Sequence, residues 1–307
     1  SAEWLALRAP VDAAARSEAL ASSVLAALRG TDAGRQTALA APARVVDLGC
    51  GTGANLRVLG PQLGIDAEWV AVDHDPVLLE ALQRAPDVAS LPRVTVTVRH
   101  ADLRQALPGL VMGAALVTAS ALFDLVSETW LQSLVAACRA EDALVLAVLN
   151  YDGRLTCTPS DPDDAFVRDL VNAHQRTDKG FGPALGPTAA ARFVSLLRAA
   201  GYEVEHERSD WHIDSSARAL QVALLLGWRD AAVEMAPEAR SRVSAWVERR
   251  LAHVDALSTV RQTTGASHAG RNRTAHRPPC GRPVWRVVRT HPVTRAAPPA
   301  RLGDRCR

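Results

Sequence analysis

Between Pro42 and Arg208 the chain alternates short apolar runs with stretches of helical spacing, and that alternation constrains the fold more than any other feature. Strands are expected at Arg44–Leu48, Trp69–Asp73, Arg93–Arg99, Ala114–Ser120, Ala143–Asn150 and Tyr202–Arg208. Helical patterns fall between them at Asn55–Leu63, Pro76–Arg84, Ser127–Arg139 and Thr188–Ala200, the last stopping at Gly201 as a helix C-cap would. Apolar strands that alternate with helices pack as a mostly parallel sheet covered on both faces. The expected class is therefore α/β, a doubly wound Rossmann-like sheet.

Three parts fall outside the alternation. Residues 1–40 read as an N-terminal helical cap, with Val11, Ala15, Leu20, Val24 and Leu28 near helical spacing. Residues 41–257 form the main domain, interrupted at 151–187 by a polar, Pro- and Gly-rich insertion with a helix expected at Asp163–Arg176. Two more helices are expected near Ser215–Glu234 and Pro237–Leu257. Residues 258–307 carry 11 arginines and one acid, leaving 1–257 with a net charge of −8 against +2 for the whole chain. This tail lacks sustained periodicity and is expected to be disordered; a basic arm or an out-of-frame terminus are the competing readings. Only "VWRVV", Val284–Val288, has strand character there, so no antiparallel strand is expected to close the sheet after Ser258.

Composition excludes several classes. At 48% hydrophobic and 22% charged, the chain matches ordinary globular domains, and no apolar run approaches the ~20 residues of a membrane span. No secretory signal pattern opens the sequence, and five cysteines show neither C-x-x-C pairs nor zinc spacing. A cytoplasmic location and no metal site are the expectations. An acidic body argues against nucleic acid as partner, because phosphate contacts dominate such binding.

The chemistry is concentrated in "VVDLGCGTGANLRVL", Val45–Leu59. Glycines 49, 51 and 53 let the backbone turn sharply and approach a ligand, and the helix that follows offers free N–H groups. Gly49-x-Gly51-x-x-Ala54 also fits a dinucleotide fingerprint, so an NAD-dependent dehydrogenase competes. Asp47 separates the two. A carboxylate two residues before Gly49 repels a pyrophosphate and attracts the ammonium and sulfonium of S-adenosylmethionine. Asp73, at the end of the second strand, can take both ribose hydroxyls of either ligand. Asp102 follows the third strand, where it can accept from an adenine amino group while Leu103 packs on the ring.

Together "VVDLGCGTG", "VAVDHDP" and "HADL" resemble the successive motifs of class I S-adenosylmethionine-dependent methyltransferases over roughly Ala43–Arg208. That resemblance implies the Rossmann-like methyltransferase fold and methyl transfer with S-adenosylmethionine as cofactor. It implies that Asp47 and Gly49 contact the methionine portion, Asp73 (with His74 or Asp75 as substitute) the ribose, and Asp102 with Leu103 the adenine. Gly51, Gly53, Asn55 and Thr118 complete the expected cofactor set.

For the acceptor, "TASA" (Thr118–Ala121) lacks the Asn/Asp-Pro-Pro-aromatic motif of nucleic-acid amino-methyltransferases, which favours a small molecule. Expected substrate residues are Phe123 and Asp124 after the fourth strand, and Tyr151, His174 and Lys179 around the insertion. Lys179 is the only lysine of the chain. His174 is the first choice of general base, ahead of His100 and Tyr151. A sulfonium is already an activated electrophile, so in-line displacement needs chiefly positioning and desolvation. A non-catalytic or inactivated S-adenosylmethionine-binding protein is the alternative, resting on the missing last strand.

Overall fold

The computed structural model describes residues 1–30, 42–254 and 259–270, the last of these as backbone. Five strands form a parallel sheet in the order β3-β2-β1-β4-β5: β1 Ala43–Leu48, β2 Ala67–Asp73, β3 Val94–His100, β4 Leu116–Ser120 and β5 Leu144–Thr158. The order reverses direction at β1, so β1 and β4 leave a crevice at their carboxyl ends, where ligands of open α/β sheets bind.

Period-two alternation in the strands builds two cores. Val46, Leu48, Val70, Val72, Val117 and Val145 face one side, against α6 (Leu103–Val111), α7 (Glu128–Ala140) and α9 (Ala189–Ala199). Val45, Trp69, Ala71, Leu116 and Leu146 face the other, against α2 (Glu18–Leu28), α3 (Ala54–Leu59) and α4 (Pro76–Gln83). A short helix, α5 (Pro86–Ala89), joins the second side.

The single expected N-terminal helix is two. α1 (Ala2–Ala15) ends where Arg16 turns extended, and Ser17 caps α2 by accepting the Leu20 amide at 3.0 Å. α2 is anchored by Leu20, Val24, Leu25 and Leu28, whereas α1 buries only Val11 and Asp12.

The expected loop start of the insertion is strand instead. β5 continues through Tyr151, Gly153, Leu155 and Cys157, all buried, with Arg154, Thr156 and Thr158 exposed. The Asp-Gly-Arg composition hides this alternation from a reading based on turn residues. Beyond the sheet, Leu155 and Cys157 join a third core with α8 (Asp164–His174), α10 (Arg218–Met235) and α11 (Arg240–Val254). Arg250 of α11 is 3% exposed, pairs with Asp164 and so staples α8 in place.

The expectation that no strand follows Ser258 is overturned. Between β5 and β6 (Glu203–Arg208) runs β8 (Thr259–Gly270), antiparallel to both and to the short β7 (Trp211–Ile213). Its Thr-, Ser- and Gly-rich sequence carries no apolar period; backbone pairing on three strands holds it. The expected disordered tail therefore cannot begin at 258. "VWRVV" and the rest of 271–307 lie outside the described residues.

Candidate active site

Three consecutive strand ends meet at the crevice. Gly49, Gly51 and Gly53 all have positive φ (64°, 55° and 92°), which glycine alone adopts without strain. A Cβ on Gly51 would lie 2.9 Å from Leu5 of α1, and one on Gly53 only 2.3 Å from Leu82 of α4. The loop is stitched to β2: Cys50 donates to the Val72 carbonyl at 3.0 Å, and Gly51 N–H donates to Asp73 Oδ2 at 2.8 Å. Asp73 Oδ1 accepts from the Asp75 amide at 3.0 Å. A carboxylate has about four acceptor positions, so Asp73 retains capacity for two ligand hydroxyls.

After β3, Asp102 caps α6 through the Arg104 amide and also grips the Arg104 guanidinium at 2.6–2.9 Å. Those Arg104 bonds pull its carboxyl down to about 2. At the end of β4, Ala121 takes a left-handed turn (φ 52°) that brings Leu122 over Gly49.

These strand ends floor a cavity of about 1150 Å³ that is roofed by α1. Gly49, Gly51, Asp73, His74, Asp102 and Leu103 line it, as do Leu5, Arg8, Asp12 and Arg16 from the roof. Leu122, Leu125 and Phe181 supply apolar wall.

Residues 45–140 match the family model described as methyltransferase domain. That match covers the glycine loop, Asp73 and Asp102. Residues 45–140 are thus a methyltransferase domain.

The methyltransferase is similar in fold to the YcgJ protein from Bacillus subtilis, at 14% identity over 82% of this chain and 99% of that one, with a TM-score of 0.45. It is also similar to a SAM-dependent methyltransferase from Thiobacillus denitrificans in complex with S-adenosylhomocysteine (17% identity, 84% and 93% covered, TM-score 0.41). A third similar structure is the cyclopropane synthase MmaA2 from Mycobacterium tuberculosis (15% identity, 80% and 83%, TM-score 0.42). No curated protein sequence matches the chain.

Four of the expected cofactor residues stand behind the cavity wall of the methyltransferase. Asp47 is 1% exposed, and its Oδ1 accepts from Asn55 Nδ2 at 3.0 Å. Burial, only partly countered by Asn55 and Arg16, pushes the Asp47 carboxyl up to about 7. Asn55 also donates to Thr118 Oγ1 at 3.1 Å, and Thr118 donates to the Leu146 carbonyl at 3.0 Å. Gly53 sits under the helix start. Asp47 is thus linked to the cavity lining through Asn55, which accepts from Arg16 at 2.7 Å.

The expected substrate set is largely displaced. Phe123 is core, stacked edge-on to Phe193 at 4.7 Å. Asp124 is buried off the cavity, its carboxyl raised to about 6 by burial, while its backbone carbonyl accepts from Gly186 at 2.9 Å. Tyr151 is buried and donates to Asn172 at 2.8 Å. His174 lies at the end of α8 with Nε2 3.2 Å from Glu234 of α10; it does not itself line the cavity but stands 3.4 Å from Lys179 Nζ, which does. Helical phase explains it: the last turn of α8 points His174 at α10. Lys179 alone of the five lines the cavity, and His100 joins it, its Nε2 2.9 Å from the His74 carbonyl. The sequence reading missed the entire α1 contribution, because which helix roofs a crevice is decided by long-range packing. The pairing of Arg8 with Asp12 one turn on was the available signal. Among the described residues no group of three His, Cys, Asp or Glu is placed to hold a metal, and no helix is long and apolar enough to cross a membrane.

Proposed function

We propose that this methyltransferase acts on a small-molecule acceptor bound beneath α1, beside the cofactor. The observation that carries this is the cavity: at about 1150 Å³ it exceeds the roughly 300–1,000 Å³ of sites that hold one small ligand. It therefore has room for the cofactor and an acceptor together. A helix over the strand ends also obstructs a polymer chain or a nucleic-acid backbone. The glycine cradle, Asp73 and a partly buried cation, Arg16, suit the cofactor's ribose and amino-acid portions. Bound S-adenosylmethionine supplies a methyl group on a positively charged sulfur.

What this chain contributes is placement. Leu122, Leu125 and Phe181 offer an acceptor an apolar, water-poor surface. Such positioning is worth roughly 7–11 kcal/mol of a displacement barrier. His100 lines the cavity where His174 does not, and acceptors that are nucleophilic at neutral pH need no base at all. The reading as a non-catalytic binder loses its ground, since β8 fills the place of the strand thought missing. The free buried thiols Cys50, Cys138 and Cys157 suit a reducing cytoplasm.

The test is incubation with methyl-labelled S-adenosylmethionine and separated cell fractions. Label in a small-molecule product separated chromatographically from S-adenosylmethionine and its breakdown products supports the proposal; transfer of label only to protein or nucleic acid overturns it.

A further inference from the structure

Five cationic side chains line the cavity, and three are paired with carboxylates: Arg8 with Asp12 at 2.7 Å, Arg57 with Asp87 at 2.5 Å, and Arg104 with Asp102 at 2.6 Å. Lys179 lies beside the Arg104–Gly180 contact, with its Nζ 2.9 Å from Thr177 Oγ1. Arg16 is different. It reaches over the glycine loop, donating to Asn55 Oδ1 at 2.7 Å and to Ser120 Oγ at 3.4 Å, both neutral groups. Among the described residues it makes no ion pair; Asp12 and Asp47 are its nearest acids. Burial disfavours its charge. Two of its roughly five N–H donors are used, so a planar anion can still be gripped by the rest.

Sheet order gives the cavity a direction. Asp102 follows β3, Asp73 ends β2, the glycine loop follows β1 and Ser120 ends β4. A cofactor with its ribose at Asp73 and its adenine toward Asp102 directs its amino-acid portion toward Ser120 and Arg16. That portion carries the cofactor's only carboxylate.

We infer that Arg16 binds the α-carboxylate of the cofactor and thereby couples seating of the α1 roof to cofactor occupancy; this rests on the S-adenosylmethionine assignment of the cavity. The coupling follows from position. Arg16 is the first residue after α1, in extended conformation (ψ 139°), and joins a lightly anchored roof to the firmly anchored α2. A ligand that holds Arg16 against Asn55 and Ser120 fixes the end of the roof. Acceptor would then be enclosed only over a loaded cofactor site.

The experiment is calorimetric titration of the full chain with S-adenosylhomocysteine and with 5′-methylthioadenosine, which keeps adenine and ribose but lacks the amino-acid portion. Arg16→Met should weaken S-adenosylhomocysteine by about 10–100-fold, the range of a lost charge-assisted hydrogen-bond pair, and leave methylthioadenosine unchanged. Arg16→Lys should fall between. Hydrogen exchange across 2–15 should slow with S-adenosylhomocysteine, not with methylthioadenosine, and Arg16→Met should abolish the difference. Unchanged S-adenosylhomocysteine affinity in Arg16→Met, equal loss for both ligands, or equal slowing of α1 by both overturns the inference. A wild-type protein that binds neither ligand overturns the cofactor assignment, and the inference with it.

Discussion

Replacing Asp47 by Asn tests whether this acid is a desolvated structural group or a stabilising partner of Arg16. Asp47 is 1% exposed; one oxygen accepts from Asn55, and the other finds no hydrogen bond of good geometry, although the Trp69 indole lies close enough to favour its charge weakly. Burial dominates and raises the carboxyl to about 7. The unfolded chain holds this proton with a pKa near 3.9. The native state thus binds the proton more tightly, and stability falls as pH rises through that window. The penalty is absent below about pH 3.9 and complete above about pH 7. Three units correspond to about 4 kcal/mol at most, and roughly 3 kcal/mol of it develops between pH 4.5 and 8. Asn keeps the shape and the acceptor for Asn55 but cannot ionise. Urea denaturation of both proteins at several pH values should show the stability of Asp47→Asn rising relative to wild type by about 3 kcal/mol from pH 4.5 to 8. A difference that stays constant with pH refutes the reasoning. A variant that loses ground as pH rises would show that Arg16 stabilises the charged form.

Three further outcomes follow from the same geometry. Asp73→Asn should weaken S-adenosylhomocysteine by about 10–100-fold, since it removes charge-assisted acceptors and leaves the Gly51 amide facing an NH₂ group; isothermal titration checks it. Gly53→Ala, with its Cβ 2.3 Å from Leu82 at φ 92°, should cost about 2–5 kcal/mol from left-handed strain and overpacking. A thermal midpoint equal to wild type would contradict that. Truncation after Gly270 should leave folding and cofactor binding intact, whereas truncation after Ser258 removes β8, unpairs β5 and β6 and should give aggregation on size-exclusion chromatography.

The parallel half of the fold was legible because Val45–Leu48, Trp69–Asp73 and Leu116–Ser120 are largely apolar, and the first two end at a glycine or an acid. Burial on both faces leaves such runs little other choice. The floor of the cavity was legible for the same reason: Gly49, Gly51, Asp73 and Asp102 sit at strand ends, and strand ends converge. Two strand segments were not legible. Tyr151–Thr158 mixes Asp152, Gly153 and Arg154 into its alternation, and Thr259–Gly270 is specified by pairing partners more than 45 residues away in sequence. The acceptor side fared worst. His174 and Lys179 touch at 3.4 Å, yet only Lys179 lines the cavity while His174 also meets Glu234, a division that spacing in sequence does not show. Arg16 could not be placed from sequence, since its meaning depends on Asn55 and Ser120, which folding brings to it.

The central claim is that the crevice binds S-adenosylmethionine through the glycine loop and Asp73. Its most direct test is calorimetric titration of the folded wild-type chain with S-adenosylhomocysteine, alongside NAD and NADP. The account predicts saturable one-to-one binding of S-adenosylhomocysteine and no heat from either dinucleotide. Binding of NAD or NADP in its place, or a folded protein that binds none of the three, would contradict it.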